Sequence, residues 1–303
     1  MKGDSGYLAP QQSKKSFFKI RVPEYDMKNT SKILIVGDVH GNFPKLKAQL
    51  DSFQYNPEID KLVFVGDIMD RGSYNARVAN YIQSLNKDNV YIIAGNHEIQ
   101  HAQLLPMYRI LAEDENIRRA LTYLFKFYKE KFSWPKNEND INHYVCSKEE
   151  REKILDSPIE SFDDAVRYIL TYTIAWEDTS IWDIITNILD TMCGYPYDAE
   201  KTLYDYFRVS KKTRAAMESI WNSEVYEVNI PIPYKNYKKI LVTHNNPFGN
   251  MRSMCPDPKQ TDTLFVFGHI PNEKFVQFTQ NSANNGYIDI DLSPKNVGVL
   301  RIR

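Results

Sequence analysis

The sequence predicts an α/β fold, with a two-layered β-sheet core that is flanked by helices and interrupted by a long helical insertion. Short runs rich in β-branched residues, each closed by glycine and a polar residue, occur at 32–38, 61–67 and 90–96. Similar runs return near the end of the chain, at 237–244, 263–269 and 286–292. Short apolar runs bounded by turn residues are typical of buried strands.

The segments between the first three runs can form helices. "FPKLKAQLDSF" carries Pro44 near its start, where a helix tolerates proline, and "YNARVANYIQSL" has apolar residues at helical spacing. Strands that alternate with helices predict βαβ units and a parallel sheet. The polar residues that end such strands gather at one edge of the sheet.

The middle of the chain predicts helices rather than strands. Apolar residues recur at helical spacing in "LTYLFKFYKEKF", "FDDAVRYILTYTIAW" and "TRAAMESIWNSEV", with breaks at "SWPKNENDIN" and "GYPYD". We therefore expect a single domain over residues 1–303. Its core is formed by about 31–101 and 237–303, and its helical insertion by about 102–235.

Composition excludes several classes of function. The formal net charge is -1 and the basic residues are dispersed, so we expect no nucleic-acid partner. No apolar run approaches the roughly 20 residues that span a bilayer, and the N-terminus lacks a hydrophobic signal core. The three cysteines form no CxxC motif, which indicates free thiols in a reducing compartment. We expect a cytoplasmic protein with no membrane span.

Polar residues that can bind metal ions follow the predicted strands. They are Asp38, His40, Asp67, Asp70, Asn96, His97, His244 and His269. Each residue alone has an ordinary explanation as a turn former or helix cap. Together, carboxylate, imidazole and amide groups suit first-row divalent metals such as manganese, iron or zinc. Two ions roughly 3.5–4 Å apart, bridged by a carboxylate, can clamp a phosphate and activate a water.

The motifs GDVHGN, GDIMDRG and GNHE, followed by a strand-end histidine and a final GH, resemble those of the metallophosphoesterases. The DRG and GNHE forms are similar to the phosphoprotein phosphatase branch, the serine/threonine phosphatases. The resemblance covers about 31–101 and 237–303, and it implies the calcineurin-like β-sandwich. It further implies a metal-dependent phosphomonoester hydrolase, a protein serine/threonine phosphatase acting on phosphoproteins. Such an enzyme uses a water activated by two divalent ions, with manganese expected and iron or zinc as alternatives.

The resemblance also implies roles for individual residues. Asp38 and His40 match ligands of the first metal, and Asp67 matches the bridging carboxylate. Ligands of the second metal are matched by Asn96, His244 and His269. Arg71 matches an arginine that holds the phosphate through its planar guanidinium. His97 matches the general acid for the leaving oxygen, and Asp70 matches the carboxylate that orients it.

The chain departs from the family pattern in four places. The expected His-Gly-Gly reads His244-Asn245-Asn246, and the short stretch between His269 and Gly286 lacks the family's Asn-Tyr-Cys loop. Arg252 is the only arginine between the last two histidines, so it is the candidate for a second phosphate-binding arginine. The insertion is longer than usual, and we expect it to select a substrate or partner. A helical buttress that only stabilises the fold is the alternative.

Three rival interpretations remain open. "HEIQH" at 97–101 matches the zinc protease motif, with Glu98 as base, but that interpretation leaves Asp38 and Asp67 without a role. It would also make His101 a ligand, whereas we expect a supporting or surface histidine. A dinucleoside polyphosphate hydrolase of the same superfamily is closer, and Asp70 favours phosphomonoesters over it. A catalytically idle binding module is the third, and metal analysis would distinguish it.

Overall fold

The computed structural model describes residues 18–22, 32–131, 147–175, 180–194, 196–244, 261–280, 285–293 and 295–302. The strands in this part of the chain are β1 Phe18–Arg21, β2 Ile33–Val36, β3 Lys61–Phe64, β4 Val90–Ile92, β5 Val225–Ile230, β6 Lys239–Thr243, β7 Thr263–Phe267, β8 Val276–Gln280, β9 Asn285–Asp289 and β10 Val299–Ile302. The helices are α1 Phe43–Ser52, α2 Asn75–Ser84, α3 Asn96–Glu113, α4 Glu115–Lys131, α5 Lys148–Asp156, α6 Phe162–Ala175, α7 Ser180–Met192, α8 Glu200–Arg208 and α9 Lys211–Trp221. A single 3₁₀ turn, Lys87–Asn89, precedes β4.

The strands form two sheets. The smaller has the order β10-β2-β3-β4, in which β2, β3 and β4 are parallel and β10 is antiparallel to β2. The larger has the order β1-β5-β6-β7-β9-β8, and its centre, β6-β7-β9, is also parallel. The predicted α/β fold with a parallel βαβ core is confirmed.

The two sheets pack face to face through alternate residues of their strands. Ile33 and Ile35 of β2 share an apolar cluster with Val242 of β6 and Val266 of β7. The intervening residues of β2 face the other way, into a second cluster with the helices. Both faces of β2 are therefore buried, which explains why its sequence is continuously apolar instead of alternating.

The helical insertion ends earlier than the sequence predicted. The predicted boundary near 235 is wrong, because β5 pairs with β1 and β6 and so belongs to the larger sheet. Its sequence, "VYEVNI", buries Val228 and Ile230 two residues apart, as a strand does. The sequence predicts a helix that continues through "WNSEV" at 221–225, whereas α9 ends at Trp221. β1 also lies outside the predicted core ranges.

The helices of the insertion share one apolar cluster with the outer face of the smaller sheet. Phe64 of β3, Leu105 of α3, Phe207 of α8 and Trp221 of α9 all belong to it. Helix α8 packs on α4, and α9 packs on α2 and α3. Within the described ranges, no helix is long and apolar enough to span a bilayer.

Candidate metal centre

The topology brings the polar strand ends to one edge of the molecule. Asp38 follows β2, Asp67 follows β3 and Asn96 opens α3 just beyond β4. His244 directly follows β6, and His269 lies two residues beyond β7. Because each group of strands is parallel, these residues meet at the carboxyl ends of both sheets, as the sequence predicted.

The carboxylate of Asp67 lies at the middle of the cluster. Its oxygens are 3.3 Å from Nε2 of His244, 3.7 Å from Nε2 of His97 and 3.9 Å from Nε2 of His40. Asp67, His244 and His269 form one group whose ligand atoms all lie within 4.8 Å of one another, and Asp67, His40 and His97 form another. One carboxylate therefore belongs to two potential cation sites.

The remaining donors lie on either side of this carboxylate. Nε2 of His244 is 3.0 Å from Oδ1 of Asn96 and 3.2 Å from Nδ1 of His269. Oδ2 of Asp38 is 4.0 Å from Nε2 of His40, and both Asp38 oxygens accept the backbone N–H of His269 at 3.2 Å. All six predicted ligand residues are thus brought together.

Two histidines are oriented by hydrogen bonds at their far nitrogens. Nδ1 of His40 donates to the carbonyl of Met69 at 3.1 Å, and Nδ1 of His244 donates to the carbonyl of Val65 at 3.0 Å. A backbone carbonyl can only accept, so Nε2 of each ring faces the cluster. Metal-binding histidines are held in this way, and the donor set therefore fits divalent ions.

Electrostatics agree with a cation site. Burial raises the pKa of Asp38 well above its usual range, and nearby Asp67 adds to that effect. Burial also lowers the pKa of His40 to about 4, which keeps its Nε2 without a proton at neutral pH, as a metal ligand requires. Burial would lower the pKa of His244 as well, but the negative charges of Asp67, Asp38 and Glu98, with a hydrogen bond to Asp67, together raise that pKa to about 10. Metal binding by His244 would therefore release a proton.

The backbone of the site is strained. His40, Asp67, Asp70, Arg71 and His269 have φ angles of 45°, 47°, 74°, 58° and 76°, in the left-handed region that residues with a side chain seldom adopt. Each such conformation costs on the order of 1–3 kcal/mol, and residues with such conformations cluster at functional sites. The sequence of the motifs does not predict this strain, because glycine is the residue by which a positive φ is usually predicted and these five positions carry side chains.

Two glycines leave room for the central carboxylates. A Cβ atom on Gly95 would collide with the Asp67 carboxylate and with the backbone nitrogen of Asp67. A Cβ atom on Gly268 would collide in the same way with the Asp38 carboxylate. The glycines of the GNHE and GH motifs are therefore required by close packing.

Asp70 and His97 form a fully buried pair beside the cluster. Nδ1 of His97 donates to Oδ2 of Asp70 at 2.7 Å, and neither side chain is exposed to solvent. Burial would raise the pKa of Asp70, but His101 and His97, through their electrostatic interaction and their hydrogen bonds, hold it well below its usual range. Burial would lower the pKa of His97, but Asp67 and Asp70 raise it. Nε2 of His97 faces Asp67, and the ring edge contacts Tyr197 with centroids 5.1 Å apart.

Arg71 reaches the cluster from the same loop as Asp70, which it directly follows in the sequence. Its Nη1 donates to Nε2 of His40 at 2.9 Å, and its Nη2 donates to the carbonyl of Pro196 at 3.0 Å. The guanidinium therefore lies directly beside the cluster of potential metal ligands. Arg252, the other predicted phosphate-binding arginine, lies outside the described residues.

Glu98 does not face the cluster as a protease base would. Its carboxylate accepts three backbone N–H groups, from Asp67 at 2.8 Å, Ile68 at 2.9 Å and Gly95 at 3.0 Å. It therefore ties α3 to the loop after β3. His101 is buried beside Asp70 and contributes to neither cation group. The zinc protease interpretation is not supported by this geometry.

The sequence did not reveal the insertion residues that hold the DRG loop. The backbone N–H of Asp70 donates to Oγ1 of Thr202 at 3.1 Å, and that of Arg71 donates to the carbonyl of Asp198 at 3.2 Å. These partners lie about 130 residues further along the chain, and no motif marks them. The break "GYPYD", which includes Asp198, is their only trace in the sequence.

Curated relatives named symmetrical bis(5'-nucleosyl)-tetraphosphatase match only a part of the chain. That of Erwinia tasmaniensis is 35% identical over 65 residues, which is 22% of this chain and 23% of the relative. That of Wigglesworthia glossinidia brevipalpis is 30% identical over 87 residues, 29% of this chain and 32% of the relative. The chain thus matches a third or less of the length of these relatives.

Solved structures match over most of the chain at low similarity. A protein serine/threonine phosphatase from Saccharomyces cerevisiae is 12% identical, with 91% of this chain and 71% of that chain covered and a TM-score of 0.37. A protein described as a candidate diadenosine tetraphosphatase is 13% identical, with 94% and 97% covered and a TM-score of 0.42. At these values the likeness carries no argument about function.

The family assignment rests on a match across nearly the whole described core. The model of the calcineurin-like phosphoesterases matches residues 31–291, and the chain belongs to that family. The protein is therefore a metallophosphoesterase, a hydrolase family that uses divalent metal ions. The predicted family and fold class are confirmed.

Proposed function

We propose that this protein hydrolyses phosphomonoesters of serine and threonine in proteins. The observation that carries the proposal is the buried Asp70–His97 pair, whose second ring nitrogen, Nε2, faces Asp67 and Arg71. Such a pair is suited to protonating a poor leaving group, and the alkoxide of a serine or threonine side chain is one.

The ions are proposed to be held by the six clustered donors. Asp38, His40 and Asp67 would hold the first ion; the second would be held by Asp67, Asn96, His244 and His269. When bound, two divalent ions clamp the phosphate as Lewis acids and lower the pKa of a water that attacks phosphorus. Manganese is the expected metal, with iron or zinc as alternatives, because mixed oxygen and nitrogen donors suit all three.

The protein's own groups would do the remaining work. Arg71 would orient the phosphate with its planar guanidinium, which already lies beside His40. His97 would donate its Nε2 proton to the leaving oxygen as the P–O ester bond breaks. Asp70 would hold the other ring nitrogen, so that the proton that moves is always the one on Nε2. A second phosphate contact from Arg252 stays a prediction.

A dinucleoside polyphosphate hydrolase is the second candidate, since the partial matches above are to proteins named for that activity. A nucleotide leaving group is a weaker base than an alkoxide and needs less help from an acid. The buried acid pair therefore favours the phosphomonoester, whereas the names of the relatives favour the polyphosphate.

A substrate panel separates these candidates. The purified protein, supplied with manganese, would be assayed on phosphoserine, phosphothreonine and phosphotyrosine peptides and on diadenosine tetraphosphate. We expect the highest kcat/KM on the phosphoserine and phosphothreonine peptides. A preference for diadenosine tetraphosphate would contradict the proposal, and a protein without bound metal or turnover would support the idle binding module.

Two further parts of the proposal concern the setting of the enzyme. A phosphoprotein partner bound through the helical insertion stays a prediction, as does a cytoplasmic location. The contact of Tyr197 with His97 supports a substrate-selecting role for the loop between α7 and α8, because this loop touches the proposed acid.

A further inference from the structure

A buried histidine that the mechanism does not use lies behind the acid pair. His101 is one helical turn after His97 on α3, so both rings project from the same face of the helix. Its side chain is fully buried, and its Nε2 lies 2.8 Å from Oδ1 of Asp70. Its Nδ1 lies 3.1 Å from the hydroxyl of Tyr108.

The hydrogen-bond partners of this ring determine which of its nitrogens carries the proton. Asp70 is a carboxylate, and a carboxylate can only accept. Nε2 of His101 must therefore carry a hydrogen and donate it to Oδ1, while His97 donates to Oδ2. Each oxygen of Asp70 is fixed by a different histidine, so the carboxylate cannot rotate without breaking both bonds.

The ring of His101 is itself held by aromatic packing. It stacks on Trp221 with centroids 4.3 Å apart and planes 13° apart, and Trp221 is fully buried. Tyr108 contacts the ring edge at a centroid distance of 5.8 Å. Trp221 ends α9, so the last helix of the insertion determines where His101 points.

Resting on the function proposed above, we propose that His101 is a positioning residue for the Asp70–His97 pair. Held by Tyr108 and Trp221, it fixes the Asp70 carboxylate, and that carboxylate fixes the ring of His97 with Nε2 toward the leaving oxygen. His101 touches no substrate. It acts only through Asp70, and its effect on rate should therefore depend on how strongly the reaction needs the acid.

The main variant is His101→Phe, which keeps a ring against Trp221 but removes the donor to Asp70. Loss of a group that orients a metal-binding side chain costs on the order of 10–100-fold in activity, and we take the same magnitude for a group that orients a general acid. We expect that loss in kcat on phosphoserine peptides, with KM little changed, and much less loss on p-nitrophenyl phosphate, whose leaving group departs largely unaided. His101→Gln retains an N–H donor and should recover part of the rate. Metal content should equal that of the unmodified protein.

A double-mutant cycle separates positioning from simple stabilisation. In a His97→Asn background the acid is absent, so adding His101→Phe should cost no further rate. A residue that only fills the core would instead lower activity on both substrates, and its effect would persist in that background. Either of those results would overturn the proposal.

Nitrogen-15 NMR of the unmodified, metal-free protein gives a test that needs no variant and no activity. The expected result is a proton on Nε2 of His101 that exchanges slowly with solvent. An Nε2 without a proton would overturn the proposal, because Asp70 would then lack its second donor. If His97→Asn shows no dependence on leaving group, the proposed function fails. If His97→Asn shows it and His101→Phe does not, only this inference fails.

Discussion

The two sides of the candidate site are built differently. What we call the dyad side consists of the Asp70–His97 pair and of His101 behind it. All three side chains are fully buried, and their polar atoms are paired with other protein groups. The histidine-pair side, formed by His244 and His269, has ring nitrogens that point at each other and at Asp67, and His269 is exposed. On the dyad side, hydrogen bonds within the protein fix the side chains. On the histidine-pair side, ring nitrogens converge on one another and on Asp67, as the ligands of a metal ion do.

This difference separates two kinds of defect. A change on the dyad side should alter proton transfer and leave metal binding intact. A change on the histidine-pair side should weaken metal binding and affect all substrates equally. Asp67 touches both sides, so only its loss should produce both defects at once.

Asp67→Asn should have the largest effect. An amide cannot supply the negative charge that two cations share, and loss of that interaction removes several kcal/mol of transition-state stabilisation, on the order of 10³-fold or more in rate. Metal analysis and turnover should fall together. Asp88→Asn, an exposed carboxylate on the surface, is the matched control. A variant that kept both ions and normal activity would show that Asp67 is not the bridge.

His97→Asn should cost on the order of 10²–10⁴ in rate on phosphoserine peptides. It should cost much less on p-nitrophenyl phosphate, and the metal content should hold. Asp70→Asn should follow the same pattern more weakly, because Asp70 only orients and charges the ring. If His97→Asn stripped the metals, the ring would belong with the ligands. Equal losses on both substrates with metals retained would make it a phosphate-binding group.

His269→Asn should weaken metal binding by on the order of 10²-fold, at least as much as loss of a group that merely supports a ligand. Titration with manganese under a chelator buffer measures this directly. Activity on the two substrates should fall by the same factor and recover at high manganese. A loss of activity on phosphoserine peptides alone would contradict the proposed difference between the two sides.

Glu98→Gln should lower the free energy of unfolding by about 1–3 kcal/mol, because an amide matches three backbone donors less well than a buried carboxylate. Urea denaturation measures the change, and the exposed Glu152→Gln should be neutral. Unchanged stability with abolished turnover would instead indicate a base in the reaction.

Tyr197→Leu should have the smallest effect. The lost ring contact with His97 is worth roughly 0.5–1.5 kcal/mol, or about 2–10-fold. We expect this loss in kcat/KM on phosphopeptides and little change on p-nitrophenyl phosphate. Shortening loops of the insertion should follow the same pattern. Equal losses on both substrates would favour the insertion as a buttress.

The common location of His244, His269 and Asp67 could be predicted from the sequence, because each residue is in a short motif at the end of an apolar strand. Parallel pairing then brings distant motifs together without further information. The supports of the dyad side were not predictable in this way. Thr202 and Trp221 are ordinary helix residues, and their contacts with Asp70 and His101 depend on how the insertion packs. The strained φ angles were equally invisible, since tertiary contacts impose them.

The boundaries of the insertion show the same limit. The sequence predicts a helical region up to about 235, whereas β5 begins at Val225, the last residue of "WNSEV", and no glycine or proline marks the change. Its pairing with β1 and β6 makes it a strand of the larger sheet. The local pattern predicts the candidate site residues, whereas the packing that orients them depends on the whole fold.

The central claim, that one carboxylate joins two cation sites, is tested most directly by anomalous X-ray diffraction from crystals grown with manganese. The account predicts two anomalous peaks roughly 3.5–4 Å apart, both bonded to Asp67, with the histidine pair on one and His40 on the other. His97 should contact neither peak. A single peak, or two peaks that do not share Asp67, would contradict the account.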